Sequence, residues 1–124
     1  MKVYAYQNCG TCRKALKHLD KMRVDYLAIP IREQPPTKPE LKKMLKIYHG
    51  DIRRLFNTSG EDYRKMQLKD KLASMSEEQA LDLLARNGGL VKRPFVLTDS
   101  GGTVGFREDE WDKLVRSQGA QRTS

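Results

Sequence analysis

The fold is decided by the stretch KVYAYQNCGTCRKALKHLDKMRVDYLAIP, residues 2–30. Residues 2–6 are β-prone and alternate in polarity, which predicts a first strand. Over residues 12–22 the apolar side chains recur on one helical face, which predicts an amphipathic helix. Residues 24–29 predict a second strand, which the following proline ends. This order of elements predicts a β-α-β unit, whose two strands run parallel.

Cys9 lies where the predicted strand ends and the predicted helix begins. The backbone N–H groups in the first turn of a helix lack intrahelical partners, and the helix dipole places partial positive charge at that end. Arg13 and Lys14 add positive charge nearby. Because these features favour thiolate over thiol, the sequence predicts a lowered pKa for Cys9 and a nucleophilic role.

Three neighbours complete the predicted site. Gly10 leaves the backbone open to the approach of a substrate, and Thr11 offers a hydroxyl group. Cys12 lies one helical turn beyond Cys9, where it can attack a mixed disulfide on Cys9 and resolve it. We therefore predict Cys9 and Cys12 as catalytic residues and Gly10 and Thr11 as substrate-binding residues. The alternative, a pair of buried and inert cysteines, is disfavoured by the position of Cys9 at a helix start.

The chain contains only two cysteines and two histidines. A secreted disulfide scaffold carries more cysteines at wider spacings. A structural zinc site needs four ligands, and neither His18 nor His49 lies at ligand spacing from another histidine or cysteine. We therefore expect no structural zinc site. His18 falls on the polar face of the predicted helix, so we expect it at the surface.

The chain beyond residue 30 predicts several helices and then a return to β-structure. The segment at about 37–89 is helical in pattern, with Thr37 and Ser76 as predicted N-caps. Residues 95–106 predict a β-hairpin, and residues 108–116 predict a last helix.

This order of elements resembles a thioredoxin-like domain: an α/β fold with a four-stranded mixed sheet and an inserted helical subdomain. We predict a single domain over residues 1–118, with the insertion at about 37–89. The first and last helices are expected to cover the sheet. Residues 119–124 are predicted to form a disordered tail.

The composition is that of a highly charged globular chain of 124 residues, 38% hydrophobic and 32% charged. No apolar run approaches the roughly 18 residues of a membrane span, and the N-terminus lacks a signal-peptide pattern. We therefore expect a cytoplasmic protein without a membrane partner. The net charge of +8 favours an anionic partner or a solvated basic surface. Because no basic arm or aromatic stacking platform is visible, we expect no direct sequence-specific binding of nucleic acid.

Four segments in order resemble the ArsC/Spx family of arsenate reductase-like proteins. They are Tyr6–Ala15 around the cysteines, Pro35-Pro36-Thr37 before the insertion, Lys92-Arg93-Pro94, and Val104-Gly105-Phe106 before an acidic helix start. The resemblance covers about residues 2–116. It implies the same thioredoxin-like fold that the order of elements predicts.

The resemblance also implies roles for individual residues. In the reductases the cysteine that matches Cys9 attacks arsenate, and three arginines hold the oxyanion, of which Arg93 matches one and Arg107 a second. Asn57 takes the place of the third. Pro94 matches a proline that is cis in this superfamily and lies opposite the thiol. The family implies a small oxyanion or thiol substrate and no bound metal or organic cofactor, with electrons from glutathione, glutaredoxin or thioredoxin.

The second branch of the family consists of the Spx-like regulators, which bind RNA polymerase and respond to disulfide stress. They carry Cys-x-x-Cys, as this chain does, where many arsenate reductases have serine at the position of Cys12. Gly50-Asp51 lies roughly where those regulators contact polymerase, although such a pair is also typical of a helix end followed by an N-cap. A third group in the family resembles glutathione-dependent thiol reductases. The loop at residues 57–60 is similar to a loop of that group. The sequence thus predicts a thiol-dependent oxidoreductase, with a polymerase-binding regulator as the alternative.

Overall fold

The computed structural model describes the backbone of residues 1–122 and the side chains of residues 1–116. The chain forms two compact units. The first consists of Met1–Pro30 and the chain from Arg93 onward, and the second is Ile31–Lys92. The second unit contains the helical segment predicted at about 37–89. No helix in the described part of the chain is both long and apolar enough to cross a membrane.

The first unit contains a four-stranded mixed sheet, as predicted. Its strands are β1 (Lys2–Ala5), β2 (Leu27–Pro30), β3 (Phe95–Leu97) and β4 (Gly102–Val104). The spatial order is β2-β1-β3-β4. β1 pairs with β2 in parallel and with β3 antiparallel, and β3 pairs antiparallel with β4. The predicted β-α-β unit is therefore confirmed.

The described residues form six α-helices: α1 (Gly10–Lys21), α2 (Lys38–Ile47), α3 (Glu61–Lys65), α4 (Leu68–Lys71), α5 (Glu77–Arg86) and α6 (Glu108–Arg122). In the first unit, one buried cluster joins α1 and α6 to the sheet. Its fully buried members include Val3 of β1, Leu19 of α1 and Trp111 of α6. The Trp111 indole N–H donates to the Gly105 carbonyl at 3.0 Å, which satisfies the polar atom of this buried ring.

In the second unit, α2 and α5 pack against each other. Both helices begin with the predicted caps: Thr37 forms a capping box with Glu40, and Ser76 forms one with Gln79. Each box satisfies backbone N–H groups that the first helical turn leaves without partners. Lys38 of α2 also pairs with carboxylates of α5.

Three predicted boundaries differ from the structure. The second strand begins at Leu27 rather than near residue 24, because residues 22–24 close the end of α1: Arg23 has a φ of 57° and the Val24 N–H donates to Leu19. The predicted helix over 61–72 is divided, because Gln67 has a φ of 53° and a right-handed helix cannot continue through that conformation.

The third difference lies at the C-terminus. The last helix was expected to end near residue 116 and to be followed by a disordered tail at 119–124. α6 instead continues to residue 122, and residues 123 and 124 lie outside the described part of the chain. The segment SQGAQR after residue 116 contains no proline and several good helix formers, so a single glycine does not end the helix.

Gly88 gives a prediction about the stability of the second unit. A Cβ atom built on Gly88 would overlap the backbone carbonyl of Ile31, whereas one on Gly10 would meet nothing within 4 Å. Backbone cannot shift as easily as a side chain, so Gly88→Ala is expected to lower the free energy of unfolding by about 3 kcal/mol. Gly10→Ala is the matched control, with an expected change below about 1 kcal/mol. Urea denaturation of the two variants measures the difference, and equal stabilities would contradict the close packing at Gly88.

Candidate functional site

Cys9 is the N-cap of α1, at the point where the chain leaves β1. Its N–H donates to the Tyr6 carbonyl at 3.0 Å, which closes the turn between the strand and the helix. Its Sγ accepts a hydrogen bond from the Cys12 N–H at 3.4 Å. The sulfur therefore stands where the sequence predicted it, in front of unpaired N–H groups at the positive end of a helix.

The pKa values of the two thiols differ because their surroundings differ. Burial by itself raises the pKa of Cys9, but hydrogen bonds from the Cys12 thiol and N–H, together with the Arg93 guanidinium, bring that pKa below its usual value. Burial raises the pKa of Cys12 to about 12, with a contribution from its hydrogen bond to Cys9. Both cysteines are free thiols. Cys9 is therefore the group that forms a thiolate first, and Cys12 remains a protonated donor beside it.

Arg93 is the charged group that lowers the pKa of Cys9. It lies two residues before β3, whose antiparallel pairing with β1 brings it back to the Cys9 turn. Its guanidinium carbon lies 5.0 Å from the centroid of the Tyr6 ring, and the Tyr6 hydroxyl accepts a hydrogen bond from the Asn8 side chain at 3.2 Å. This ring contact is a cation–π interaction, which attracts the guanidinium to the face of the Tyr6 ring. The Arg93–Pro94 peptide bond is cis, as predicted.

One nitrogen of Arg93 is available for a ligand. The Nη1 atom is buried, and within the described residues it has no hydrogen-bond partner. A buried donor without a partner costs free energy, commonly about 1–3 kcal/mol, unless a ligand satisfies it. A guanidinium donor next to a nucleophilic sulfur can hold the oxygen of a tetrahedral oxyanion or a carboxylate. This arrangement is what an anion-binding site needs.

Gly10 and Thr11 lie on the exposed side of the site. The backbone N–H of Thr11 also helps to lower the pKa of Cys9. The space around Gly10 is open, so a substrate can approach the backbone there. The predicted role of the Thr11 hydroxyl in binding stays a prediction.

Arg107 and Asn57 stand at the two remaining positions that the sequence matched to oxyanion-binding arginines. Arg107 is exposed just before α6, where its carbonyl accepts the Trp111 N–H at 3.0 Å. Within residues 1–116, no described contact joins the Arg107 guanidinium to Cys9, so its role in binding stays a prediction. Asn57 is buried in the second unit, where its N–H donates to the Leu90 carbonyl at 2.7 Å.

The sequence did not predict two features of the first unit. His18, expected at the surface, is only 19% exposed in its side chain and lies 3.0 Å from an Asp112 carboxylate oxygen. Its ring also contacts Phe106, with centroids 5.5 Å apart. The second is the contact of Tyr6 with Arg93. Both depend on residues that are far apart in the chain, and no local pattern indicates such pairs.

The described side chains form no cluster of three or more histidine, cysteine, aspartate or glutamate residues that could hold a metal ion. The groups that the structure brings together at the start of α1 are the Cys9 sulfur, the Cys12 thiol and the Arg93 guanidinium. Such a set can attack an electrophilic centre, hold an anion and form a disulfide.

Comparisons with known proteins agree on one family. A family model described as the ArsC family matches residues 4–114. The uncharacterized protein YusI of Bacillus subtilis strain 168 is 46% identical over 91% of this chain and 96% of its own. The global transcriptional regulator Spx of Listeria innocua is 27% identical over 87% of this chain and 81% of its own.

Two solved structures are similar over almost their whole length. One, from Bacteroides fragilis, is described as a "putative ArsC family related protein", with a TM-score of 0.86 and 41% identity over 91% of this chain and 95% of that one. The other, from Streptococcus mutans UA159, is described as a "possible arsenate reductase", with a TM-score of 0.82 and 37% identity over 90% of this chain and 96% of that one.

Proposed function

The chain belongs to the ArsC family, with the thioredoxin-like fold of its structural neighbours, and we propose that it is a thiol-dependent oxidoreductase of the arsenate reductase type. The observation that carries the proposal is the position of the Cys9 sulfur at the start of α1, where it accepts a hydrogen bond from the Cys12 N–H at 3.4 Å. Burial raises the pKa of Cys9, but the hydrogen bonds from Cys12 and the Arg93 guanidinium outweigh it and lower that pKa. The similarity to a structure described as a possible arsenate reductase supports the choice of substrate class.

In the proposed reaction the Cys9 thiolate attacks the arsenic atom of arsenate. An S–As bond forms, and one arsenate oxygen takes up protons and leaves as water. Arg93 holds a second oxygen through its free Nη1 donor. Arg107 is the proposed second cation of the clamp, and asparagine at residue 57 leaves the clamp with two arginines instead of three.

Cys12 completes the turnover. Its thiol lies within hydrogen-bonding reach of Cys9. After losing its proton, it attacks the Cys9 sulfur, the electron pair of the S–As bond passes to arsenic, and arsenite leaves. A Cys9–Cys12 disulfide remains, and two electrons and two protons from glutathione, a glutaredoxin or a thioredoxin return it to two thiols. No bound cofactor is needed. The proposed location is the cytoplasm, where thiols are kept reduced.

The proposal is tested by NADPH consumption in a coupled assay that contains glutathione, glutaredoxin, glutathione reductase and arsenate. We expect consumption that requires both arsenate and the protein. Consumption that is unchanged when arsenate is left out would contradict arsenate as the substrate and favour a reductase of other thiol compounds.

A second candidate function is an Spx-like regulator that binds RNA polymerase. The similarity to Spx of Listeria innocua favours it, and so does the second cysteine of the pair. A pull-down with RNA polymerase under oxidising and reducing conditions separates the two candidates. Retention of polymerase in one redox state would support the regulator, and no retention in either state would count against it.

A further inference from the structure

The solvent-facing side of α1 carries a row of cations that leads to Cys9. Arg13, Lys14, Lys17 and Lys21, here called the basic stripe, are all exposed. Positions 13, 17 and 21 follow each other at intervals of four, so they lie one above the other on the helix, and position 14 flanks them. At a rise of 1.5 Å per residue, the stripe is about 12 Å long. Gly10 falls on the same face, at the Cys9 end of the stripe.

The cations of the basic stripe have no ion-pair partners among residues 1–116. Of the two carboxylates with described contacts to α1 residues, Asp20 of α1 itself accepts a hydrogen bond from the Tyr26 hydroxyl at 2.9 Å, and Asp112 of α6 pairs with His18. In the second unit the pattern is different, since Lys38 and Lys42 pair with Glu78 and Lys65 pairs with Glu61. Unpaired cations on one helix face produce a positive potential that attracts an acidic surface and accelerates its association.

We propose that the basic stripe is the docking surface for an acidic protein dithiol that reduces the Cys9–Cys12 disulfide. This inference rests on the proposed function, and it names the chemical class of the electron donor. A ridge of this length is too extended to serve a single oxyanion, whereas a folded protein can cover it. A protein that lies along α1 also meets open space at Gly10, and its own sulfur can then reach Cys9.

The electron transfer at this surface balances as a dithiol–disulfide exchange. A thiolate of the donor attacks the Cys9 sulfur, a mixed disulfide forms, and Cys12 leaves as a thiolate that takes up a proton. The second donor thiol attacks the donor sulfur of the mixed disulfide, and Cys9 is released as a thiolate. The donor leaves as a disulfide, having supplied two electrons.

Stopped-flow reduction of the oxidised full-length protein tests the inference. The probe is a thioredoxin whose sequence carries net negative charge, and dithiothreitol serves as a small neutral reductant. The variants are Lys17→Glu/Lys21→Glu and the milder Lys17→Gln/Lys21→Gln. Lys69→Glu/Lys71→Glu is the matched control, because it makes the same charge change at exposed positions of α4.

At low salt, we expect Lys17→Glu/Lys21→Glu to lower the second-order rate constant with thioredoxin by about 10-fold or more, as steering effects do. The glutamine variant should fall between wild type and the glutamate variant. The differences should shrink as the ionic strength rises from about 0.01 M to about 1 M, since the Debye length falls from about 30 Å to about 3 Å. The control variant and all rates with dithiothreitol should stay within about twofold of wild type.

Three results would overturn the inference. One is a rate with thioredoxin that is equal in wild type and both stripe variants, whether thioredoxin reduces all three or, where dithiothreitol succeeds, none of them. Another is an equal loss in the control variant, which would show an effect of net charge alone. The third is loss of DNA or RNA binding in the stripe variants with unchanged thioredoxin rates, which would make the stripe a nucleic-acid surface. Failure of the proposed function is a separate result, in which the wild-type protein shows no Cys9-dependent turnover of arsenate with either reductant.

Discussion

Cys9→Ser is expected to lower arsenate-dependent NADPH consumption by about 10³-fold or more, as the loss of the nucleophile does in other covalent mechanisms. Serine keeps the hydrogen-bonding position at the start of α1, so the fold should remain. The hydroxyl, however, does not ionise at neutral pH and cannot form a disulfide with Cys12. The coupled assay measures the loss, and circular dichroism confirms that the variant is folded.

Cys12→Ser is the matched comparison for this result. It removes the resolving thiol but leaves the Cys9 thiolate, so the first chemical step should survive. We expect slower turnover that depends on an external thiol such as glutathione to attack the Cys9 sulfur. Activity of Cys9→Ser near that of wild type would contradict the mechanism, and so would equal, complete loss in both variants at any glutathione concentration.

Arg93→Gln is expected to give the second largest effect. The guanidinium is one of the causes that lower the pKa of Cys9, so its removal raises that pKa and reduces the thiolate fraction at neutral pH. The variant also loses a charged hydrogen bond to the oxyanion, worth about 1.5–3 kcal/mol. Together these losses predict a fall in kcat/KM for arsenate of about 10- to 10³-fold, with the pH profile shifted to higher pH. Steady-state kinetics over a range of pH measures both effects.

Arg107→Gln separates the two contributions of Arg93. Arg107 is exposed, and no described contact joins it to Cys9, so its removal should leave the pH dependence of Cys9 in place. If Arg107 is part of the clamp, kcat/KM for arsenate falls at every pH by a similar factor. An unshifted pH profile in Arg93→Gln would contradict the place of Arg93 beside the thiolate.

The local elements of the fold could be predicted because each has a local cause. The alternation of residues 2–6, the apolar face of α1 and the capping boxes at Thr37 and Ser76 all act within a few residues of chain. The left-handed residues Arg23 and Gln67 could not be predicted in the same way, since neither is glycine or asparagine. Their conformations depend on how the surrounding chain packs.

In the candidate site, too, the features with a local cause could be predicted and those that depend on packing could not. The hydrogen bonds from Cys12 and Thr11 that help to lower the pKa of Cys9 are local to the helix start, so the Cys-x-x-Cys motif could indicate them, whereas the contribution of Arg93 comes from a distant part of the chain. The stacking of Arg93 on Tyr6 and the pairing of His18 with Asp112 follow from strand pairing and helix packing. The four residues of these two contacts are brought together only by the sheet and by the packing of α1 against α6, which a linear pattern does not show.

The proposed chemistry depends most directly on Cys9 being the cysteine that ionises at the lower pH. Alkylation of the reduced wild-type protein by iodoacetamide, followed over pH and assigned to each cysteine by fragmentation mass spectrometry, tests this directly. We predict that Cys9 reacts first, with an apparent pKa below the free-thiol value of about 8.5, while Cys12 stays unmodified until far higher pH, in line with its pKa of about 12. Faster modification of Cys12, or an apparent pKa for Cys9 at or above the free-thiol value, would contradict the account.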